Sequence, residues 1–387
     1  MPFKVLVACL EKWDTSSEIP YLLNMAGCET HVYCAKDSWL RSNKFHGKWH
    51  ESPSNLNEYK VELVKLVLQY KFDWVILADD PLIKHMNEQV NEEEFHLIMP
   101  LKQIKARNAL SSKKGFSEFC KNNGIDTPGY VVYNDTEDLL AIKETLKFPV
   151  INKLDFSWGG TDMFISHTFE EFEANLHKIP KNEHVLIQEY INGDEIRTDS
   201  LFFNGVLVKY FRGRILSNSQ NSFSYSTRRV YENDKEFKDN LIEVGAKLGL
   251  HGFINITYIF DRTRNIKYLI EVDPRPNSWM VLSRFLSTDD FIAGTKRIVS
   301  GEYISGYQGG NLNKDNIELA LFYKDIRRVL WKKDFKGLMR WTLNLKCYWK
   351  FIPFYDSILL KRILKAVWDE VFMFYIRRIT ERKRKTI

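Results

Sequence analysis

Short apolar runs alternate with segments of helical period through the first hundred residues. KVLVACL, ETHVYCA and FDWVILADD are β-rich, and segments between them such as LNEYKVELVKLVLQY place apolar residues at helical spacing. That alternation predicts a parallel α/β layer. No GxGxxG turn follows the first run, so the dinucleotide fingerprint is absent and a Rossmann oxidoreductase loses its support. From about Asn108 the texture changes. A helix over KKGFSEFCKNNG ends near Gly124, IDTPGYVVYN reads as turn and strand, and TEDLLAIKETL reads as a helix. FPVINKLDFSWGGTDMFI then reads as a strand, a loop with paired glycines and a second strand, a hairpin suited to lie over a ligand. Two β-rich blocks, HVLIQEYINGDEIRTDSLFFNGVLVKYF and GFINITYIFDRTRNIKYLIEVDPRPN, flank a helix over DKEFKDNLIEVGAKLGL. Beyond roughly Gly310 the chain turns to aromatic and basic helical segments.

Composition narrows the class. A chain of 387 residues, 44% hydrophobic and 14% aromatic with only 11 Pro, fits two or three globular domains. The N-terminal apolar stretch stops at Glu11 and Lys12 before any cleavage pattern, and no run approaches the roughly 18 apolar residues of a membrane span. A cytoplasmic protein is expected, with an alternative place at the inner face of a membrane. Cys9, Cys28, Cys34, Cys120 and Cys347 are odd in number and form no CxxC pair, which predicts reduced, mostly buried thiols. The net charge is +6, and residues 361–387 alone hold nine Lys and Arg against three acids. The rest is formally neutral, so a broad nucleic-acid-binding surface is not suggested.

The string YLIEVDPRPN carries the most chemistry. In a strand, Glu271 and Asp273 share a face and together can chelate Mg²⁺, a hard cation held by one or two carboxylates plus nucleotide phosphates. Asp273 and Arg275 each precede a proline, which favours extended backbone and keeps Arg275 on that face. A cation there can steady a transferring phosphoryl group. Alone, E-x-D-x-R reads more readily as a salt bridge closing a strand end.

The order and spacing of the blocks over about 109–305 resemble the ATP-grasp superfamily. The resemblance implies that Lys113, with Lys114 as its neighbour and rival, touches phosphates from the start of a helix. It assigns Lys153, before the loop DFSWGG, to phosphate binding, with Gly159 and Gly160 in a glycine-rich lid whose N–H groups approach phosphate oxygens closely. Gln188, Glu189, Tyr190 and Ile191 match the hinge whose backbone meets adenine, and Glu195 matches the acidic residue that accepts from ribose hydroxyls. Glu271 and Asp273 match the metal motif, Asp273 standing where many members carry asparagine. One departure stands out: where the family carries an acid or glutamine on the paired strand, this sequence has Thr257, with Asn255 on the same face, which implies weaker or single-ion Mg²⁺ binding. Arg212, Arg214, Arg228 and Arg229 are candidates for an anionic substrate or for solvated strand ends.

The N-terminal layer resembles the pre-ATP-grasp domain of carbamoyl-phosphate-synthase-like members. The implied architecture is an α/β N-terminal domain over 1–108, an α+β ATP-grasp fold over 109–309 with a lid at about 128–190, and a helical C-terminal extension over 310–387. The implied activity is ATP- and Mg²⁺-dependent ligation of a small carboxylate to an amine through an acyl phosphate. A kinase of the same fold and a nucleotide-binding regulator without turnover are the alternatives. In the last helix Ile363, Val367, Val371 and Phe374 recur at spacings of four, four and three, with Leu364, Trp368, Phe372 and Tyr375 beside them, before a basic cluster. That helix is expected to meet an anionic membrane or a dimer partner, or to pack on the body. Packing is favoured, because Met373 and Ile376 leave it apolar nearly all round.

Overall fold

The structure, a computed structural model, describes residues 2–134, 138–157, 163–178, 184–221, 224–234, 236–302 and 312–384, with side chains as far as Met373. Four parallel strands open the chain: β1 Lys4–Ala8, β2 Glu29–Cys34, β3 Lys48–Glu51 and β4 Trp74–Leu77, in the order β3-β2-β1-β4. Helices α1 Ile19–Met25, α2 Leu56–Tyr70, α3 Asp80–Gln89 and α4 Glu92–Ile98 accompany them. Strands β1, β2 and β4 are largely buried on both faces, as parallel layers require, whereas edge strand β3 is partly exposed. Asp79, just beyond β4, caps α3 through Leu82 N–H at 2.9 Å and accepts from Leu10 N–H at 2.7 Å. It thereby ties together the loops at the carboxyl ends of β1 and β4, the edge where open α/β sheets place their ligands.

Helix α5, Lys113–Asn122, leads into a second sheet. Strands β5 Tyr130–Tyr133, β6 Val150–Leu154, β7 Ile165–Ser166 and β8 Val185–Glu189 lie in the order β5-β8-β6-β7, with α6 Asp138–Thr145 and α7 Phe169–Ala174. This unit has a small core of its own around Ile142, Val150, Phe172 and Ile187.

The largest sheet is antiparallel. Strands β9 Asp194–Phe203, β10 Val206–Asn218, β11 Ser226–Glu232, β12 Gly252–Asp261, β13 Ile266–Asp273 and β14 Ile317–Ala320 lie in the order β13-β12-β9-β10-β11-β14. Period-2 alternation gives its faces different characters. One face, with Ile196, Phe202, Ile254 and Ile256, packs on α8 Lys238–Leu248 through Leu241 and Val244. The other is apolar at one end, where Leu201 and Phe253 meet Trp279 and Phe291 of α9 Trp279–Leu282 and α10 Phe291–Ser300. Its other end carries Glu195, Arg197, Asp199, Asn255, Thr257, Glu271 and Asp273, so the candidate site begins where that core stops.

The C-terminal region corrects one expectation. Residues 310–387 are not wholly helical, because β14 pairs with β11 (Arg229 with Leu319, Tyr231 with Ile317) and completes the large sheet. That strand, IELA, is only four residues long, too short to stand out from helical surroundings. Helices α11 Phe322–Trp331, α12 Phe335–Thr342 and α13 Ser357–Arg384 follow. Helix α13 buries Leu359 and Ile363, while Leu364, Trp368 and Phe372 are exposed. One face of the helix is packed, not every side. Among the described residues no helix is long and apolar enough to cross a membrane. Cys9, Cys28, Cys34 and Cys120 are buried and Cys347 is exposed, all as free thiols.

Candidate active site

Strand register assembles two rows of side chains across three strands. Glu271 on β13 stands opposite Thr257 on β12, which stands opposite Arg197 on β9. Two residues along, Asp273 stands opposite Asn255, which stands opposite Asp199. Directly opposed residues of an antiparallel pair share a face, so carboxylates and neutral oxygens converge at the β12–β13 edge.

Two atoms there are conspicuous. Among the described residues, Thr257 Oγ1 and Asp273 Oδ1 are buried without a hydrogen-bond partner. The Asp273 oxygen lies 3.1 Å from Arg275 Nε, yet Nε donates its hydrogen to Asp80 at 2.8 Å. Burial drives the Asp273 carboxyl well above the usual carboxylate range; Arg275 opposes this, Asp80 and Glu271 reinforce it, and Arg197 opposes it. A buried oxygen without a donor beside two further acids is an environment that a cation would relieve. Among the described residues no cluster of three His, Cys, Asp or Glu side chains is arranged to hold a metal. The donors are two carboxylates and neutral oxygens, a set that suits Mg²⁺ sharing its shell with phosphate and water.

Both lysines face this edge. Ser112 caps α5 by accepting from Gly115 N–H at 2.9 Å, and its hydroxyl donates to Asp155 at 3.0 Å. Asp155, which follows β6, also accepts from Lys114 N–H at 2.8 Å, so the start of α5 is fastened to the end of β6. Lys113 Nζ donates to the Ser157 carbonyl at 3.0 Å, whereas half-buried Lys114 sits 4.0 Å from Glu118. Lys153 is buried, its Nζ donating to Gln188 Oε1 at 2.6 Å. Burial lowers its ammonium to about 8; Glu271 and Glu195 resist that shift and Lys113 adds to it. Burial likewise lowers Lys113, against Glu271, Asp155 and Asp80. Gly159 and Gly160 lie outside the described residues.

The hinge is partly committed. Glu189 N–H donates to the Gly129 carbonyl at 2.8 Å and Tyr190 N–H to the Pro149 carbonyl at 2.9 Å. The Glu189 carboxylate turns away to accept from Lys147 N–H at 3.0 Å. Among the described residues Ile191 N–H has no backbone partner, which leaves it as the hinge donor a base could use. Gln188 contributes its side chain, through Lys153, more than its backbone, which is held in the sheet. Glu195 is ion-paired with Arg197 at 2.6 Å.

Arg275 contacts the N-terminal layer. Asp80, the first residue of α3, is 195 positions away in sequence, and both its contact and that of Asp273 are made through Nε. The two terminal guanidinium nitrogens have no protein partner among the described residues, so a two-pronged donor remains for an oxyanion. Asp80, Arg197 and Asp199 were not legible as site residues. The one available signal was Asp80, an acid just past the carboxyl end of the parallel run WVIL.

The four arginines proposed for an anionic substrate are all paired. Arg229 is buried against Asp199 at 3.0 Å and stacks over Trp279. Arg228 joins Glu318 and the Tyr348 hydroxyl, Arg212 lies 3.8 Å from Asp234, and exposed Arg214 reaches Glu232 at 3.4 Å. Neither reading fits Arg228 or Arg229, whose carboxylate partners come from strands distant in sequence. Asp199 also accepts from Tyr231 at 2.7 Å, Asn255 at 2.9 Å and Asn277 at 3.0 Å, binding β9, β11 and β12 to the segment after Asp273.

Residues 110–278, rather less than half of the chain, match the ATP-grasp domain family. A carbamoyl-phosphate synthase of Methanobrevibacter smithii is 25% identical over 223 residues, 55% of this chain and 58% of that one. The carbamoyl phosphate synthase large chain of Clostridium botulinum is 27% identical over 213 residues, 51% of this chain and 19% of that one. The chain thus spans little more than half of the first relative and a fifth of the second. Among solved structures, N5-carboxyaminoimidazole synthetase from Staphylococcus aureus complexed with ADP superposes with a TM-score of 0.64 at 13% identity, covering 87% of each chain. At that identity the likeness establishes the ATP-grasp fold, with its mixed α/β content.

Proposed function

We propose that the protein is an ATP-dependent carboxylate–amine ligase that activates a small carboxylate as an acyl phosphate. The observation that carries this reading is the meeting of Lys113, Lys153, Glu271, Asp273 and Arg275 at one sheet edge, brought there from three separate parts of the chain. Residues 1–108 serve as a pre-ATP-grasp domain, 109–309 as the ATP-grasp domain with its lid at about 128–190, and 310–387 as an extension that adds an edge strand and helices.

Glu271 and Asp273, with Thr257 and Asn255 beside them, would hold Mg²⁺, which when bound neutralises phosphate charge and orients the γ-phosphoryl group. Lys113 and Lys153 bring positive charge to the phosphates from α5 and β6. Ile191 N–H meets the adenine edge and Glu195 the ribose hydroxyls. A substrate carboxylate oxygen attacks the γ-phosphorus and the bond to the ADP oxygen breaks. The amine nitrogen then attacks the acyl carbon, phosphate leaves and the nitrogen loses a proton, giving an amide. The free prongs of Arg275 are positioned for the oxyanion that develops in each step.

The test is an ADP- and phosphate-release screen over a matrix of carboxylates and amines, with mass spectrometry of active wells. Equal ADP and phosphate plus a new amide mass is expected. ADP without phosphate, with a phosphorylated product, would replace the ligase reading by a kinase. No Mg²⁺-dependent ADP formation from any pair would point to a nucleotide-binding regulator.

A further inference from the structure

Apolar surface and positive charge gather in the same block. Residues 331–387 hold fifteen Lys and Arg against five Asp and Glu, a formal +10 in a chain whose total is +6, so the other 330 residues are net negative. On α13, Leu359 and Ile363 face the body, and Glu370 closes the contact by pairing with Arg327 at 2.9 Å. Turned away from that face, Leu364, Trp368, Val371 and Phe372 recur at i, i+4, i+7 and i+8 as an exposed stripe, Trp368 being 69% accessible and Phe372 57%. Exposed Lys361 and Lys365 belong to the same turns, and the helix runs on to Arg384 through the sequence RRITERKR. Helix α12 adds Phe335, 77% accessible, beside Lys332, Lys333 and Lys336 in sequence.

We infer that this block docks the protein on an anionic lipid surface, with the α13 stripe entering the headgroup–acyl boundary and the surrounding cations meeting lipid phosphates and carboxylates. Soluble surfaces seldom leave so many large aromatics uncovered in one block. An interfacial helix has this composition, with Trp, Phe and Leu on one side and Lys and Arg beside them. A second copy is a poor occupant, because a twofold contact through this block would oppose one strongly basic surface to another. Spanning is not the mode, since no described helix is apolar enough to cross a bilayer.

The full chain should co-sediment with phosphatidylserine–phosphatidylcholine vesicles at low salt, and much less with pure phosphatidylcholine or at about 0.5 M salt. Trp368→Glu combined with Phe372→Glu should weaken that binding about tenfold or more. Both side chains are exposed, so melting temperature should hold. Lys361→Glu with Lys365→Glu should weaken binding to the anionic vesicles alone. The inference is overturned if the full chain does not bind anionic vesicles at low salt, or if both double variants bind as well as the parent. It is also overturned if vesicle binding is absent while sedimentation velocity finds a dimer that Trp368→Glu with Phe372→Glu dissolves, which would assign the stripe to a second copy.

Discussion

Burying an ammonium inside a strand costs several kcal/mol unless nearby anions answer it. Among the described residues Lys153 has one hydrogen bond, to a neutral amide oxygen, with Glu271 and Glu195 acting at longer range, and burial lowers its ammonium to about 8. A nucleotide triphosphate would supply the missing anion and favour the charged form. Nucleotide binding should therefore be strongest where Lys153 is already protonated, below about pH 8. Above it, binding must take up a proton, and affinity should fall by up to about tenfold per pH unit. Calorimetry with a non-hydrolysable ATP analogue between pH 6.5 and 9.5 checks this, with Lys153→Arg expected to flatten the decline. An unchanged affinity across that range would remove Lys153 from the phosphate site. The same residue marks what sequence could reveal. A lysine ending an apolar run before paired glycines was visible as a string, but its partner Gln188 comes from a strand 35 residues on and was read only as backbone. Arg197 and Asp199 were invisible for a related reason: alternation placed them on a face without revealing which strands would flank it.

At the scale of elements, the pairing of β12 with β13 decides what the metal edge can hold. Thr257 faces Glu271 with its hydroxyl buried and unpartnered, so a neutral oxygen stands where a second carboxylate would complete a stronger site. Thr257→Asp changes little volume and sets two carboxylates opposite each other. Without a cation their repulsion should lower the melting temperature by a few degrees, on the order of 1 kcal/mol. With Mg²⁺ both become ligands, so the Mg²⁺-induced rise in melting temperature should exceed that of the parent and half-saturation should come at lower Mg²⁺. Glu271→Gln should abolish the Mg²⁺ effect in both backgrounds and stop ATP turnover. Equal Mg²⁺ response in parent and Thr257→Asp would mean that the ion, if bound, sits elsewhere. This edge was legible because both strands are long and alternate clearly. Strand β14 was not, because four residues give too few alternations to override the helical texture around them.

At the scale of the whole molecule, Arg275 is held from two directions. Asp273 is two residues away, but Asp80 belongs to the N-terminal layer, where the β1–β4 pairing and the Asp79 cap fix its position. The layer thus contributes a side chain to the proposed reacting centre, and its hold on Nε leaves the two terminal guanidinium nitrogens without a partner among the described residues. Asp80→Asn keeps an acceptor for Nε and nearly the same shape while removing the charge, so the fold should persist. With its orientation loosened, Arg275 should lose transition-state contact, and a misplacement near 1 Å costs about 10²-fold in rate. We expect kcat to fall by roughly that factor while nucleotide affinity, which depends on Lys113, Lys153 and the hinge, stays nearly constant. Asp14→Asn, at a contact between the N-terminal layer and α11, 3.5 Å from Lys324, is the control and should change neither quantity. A fall in nucleotide affinity equal to the fall in kcat would mean that Asp80 supports the nucleotide site as a whole. An unchanged kcat would mean that the N-terminal layer does not order Arg275 for catalysis.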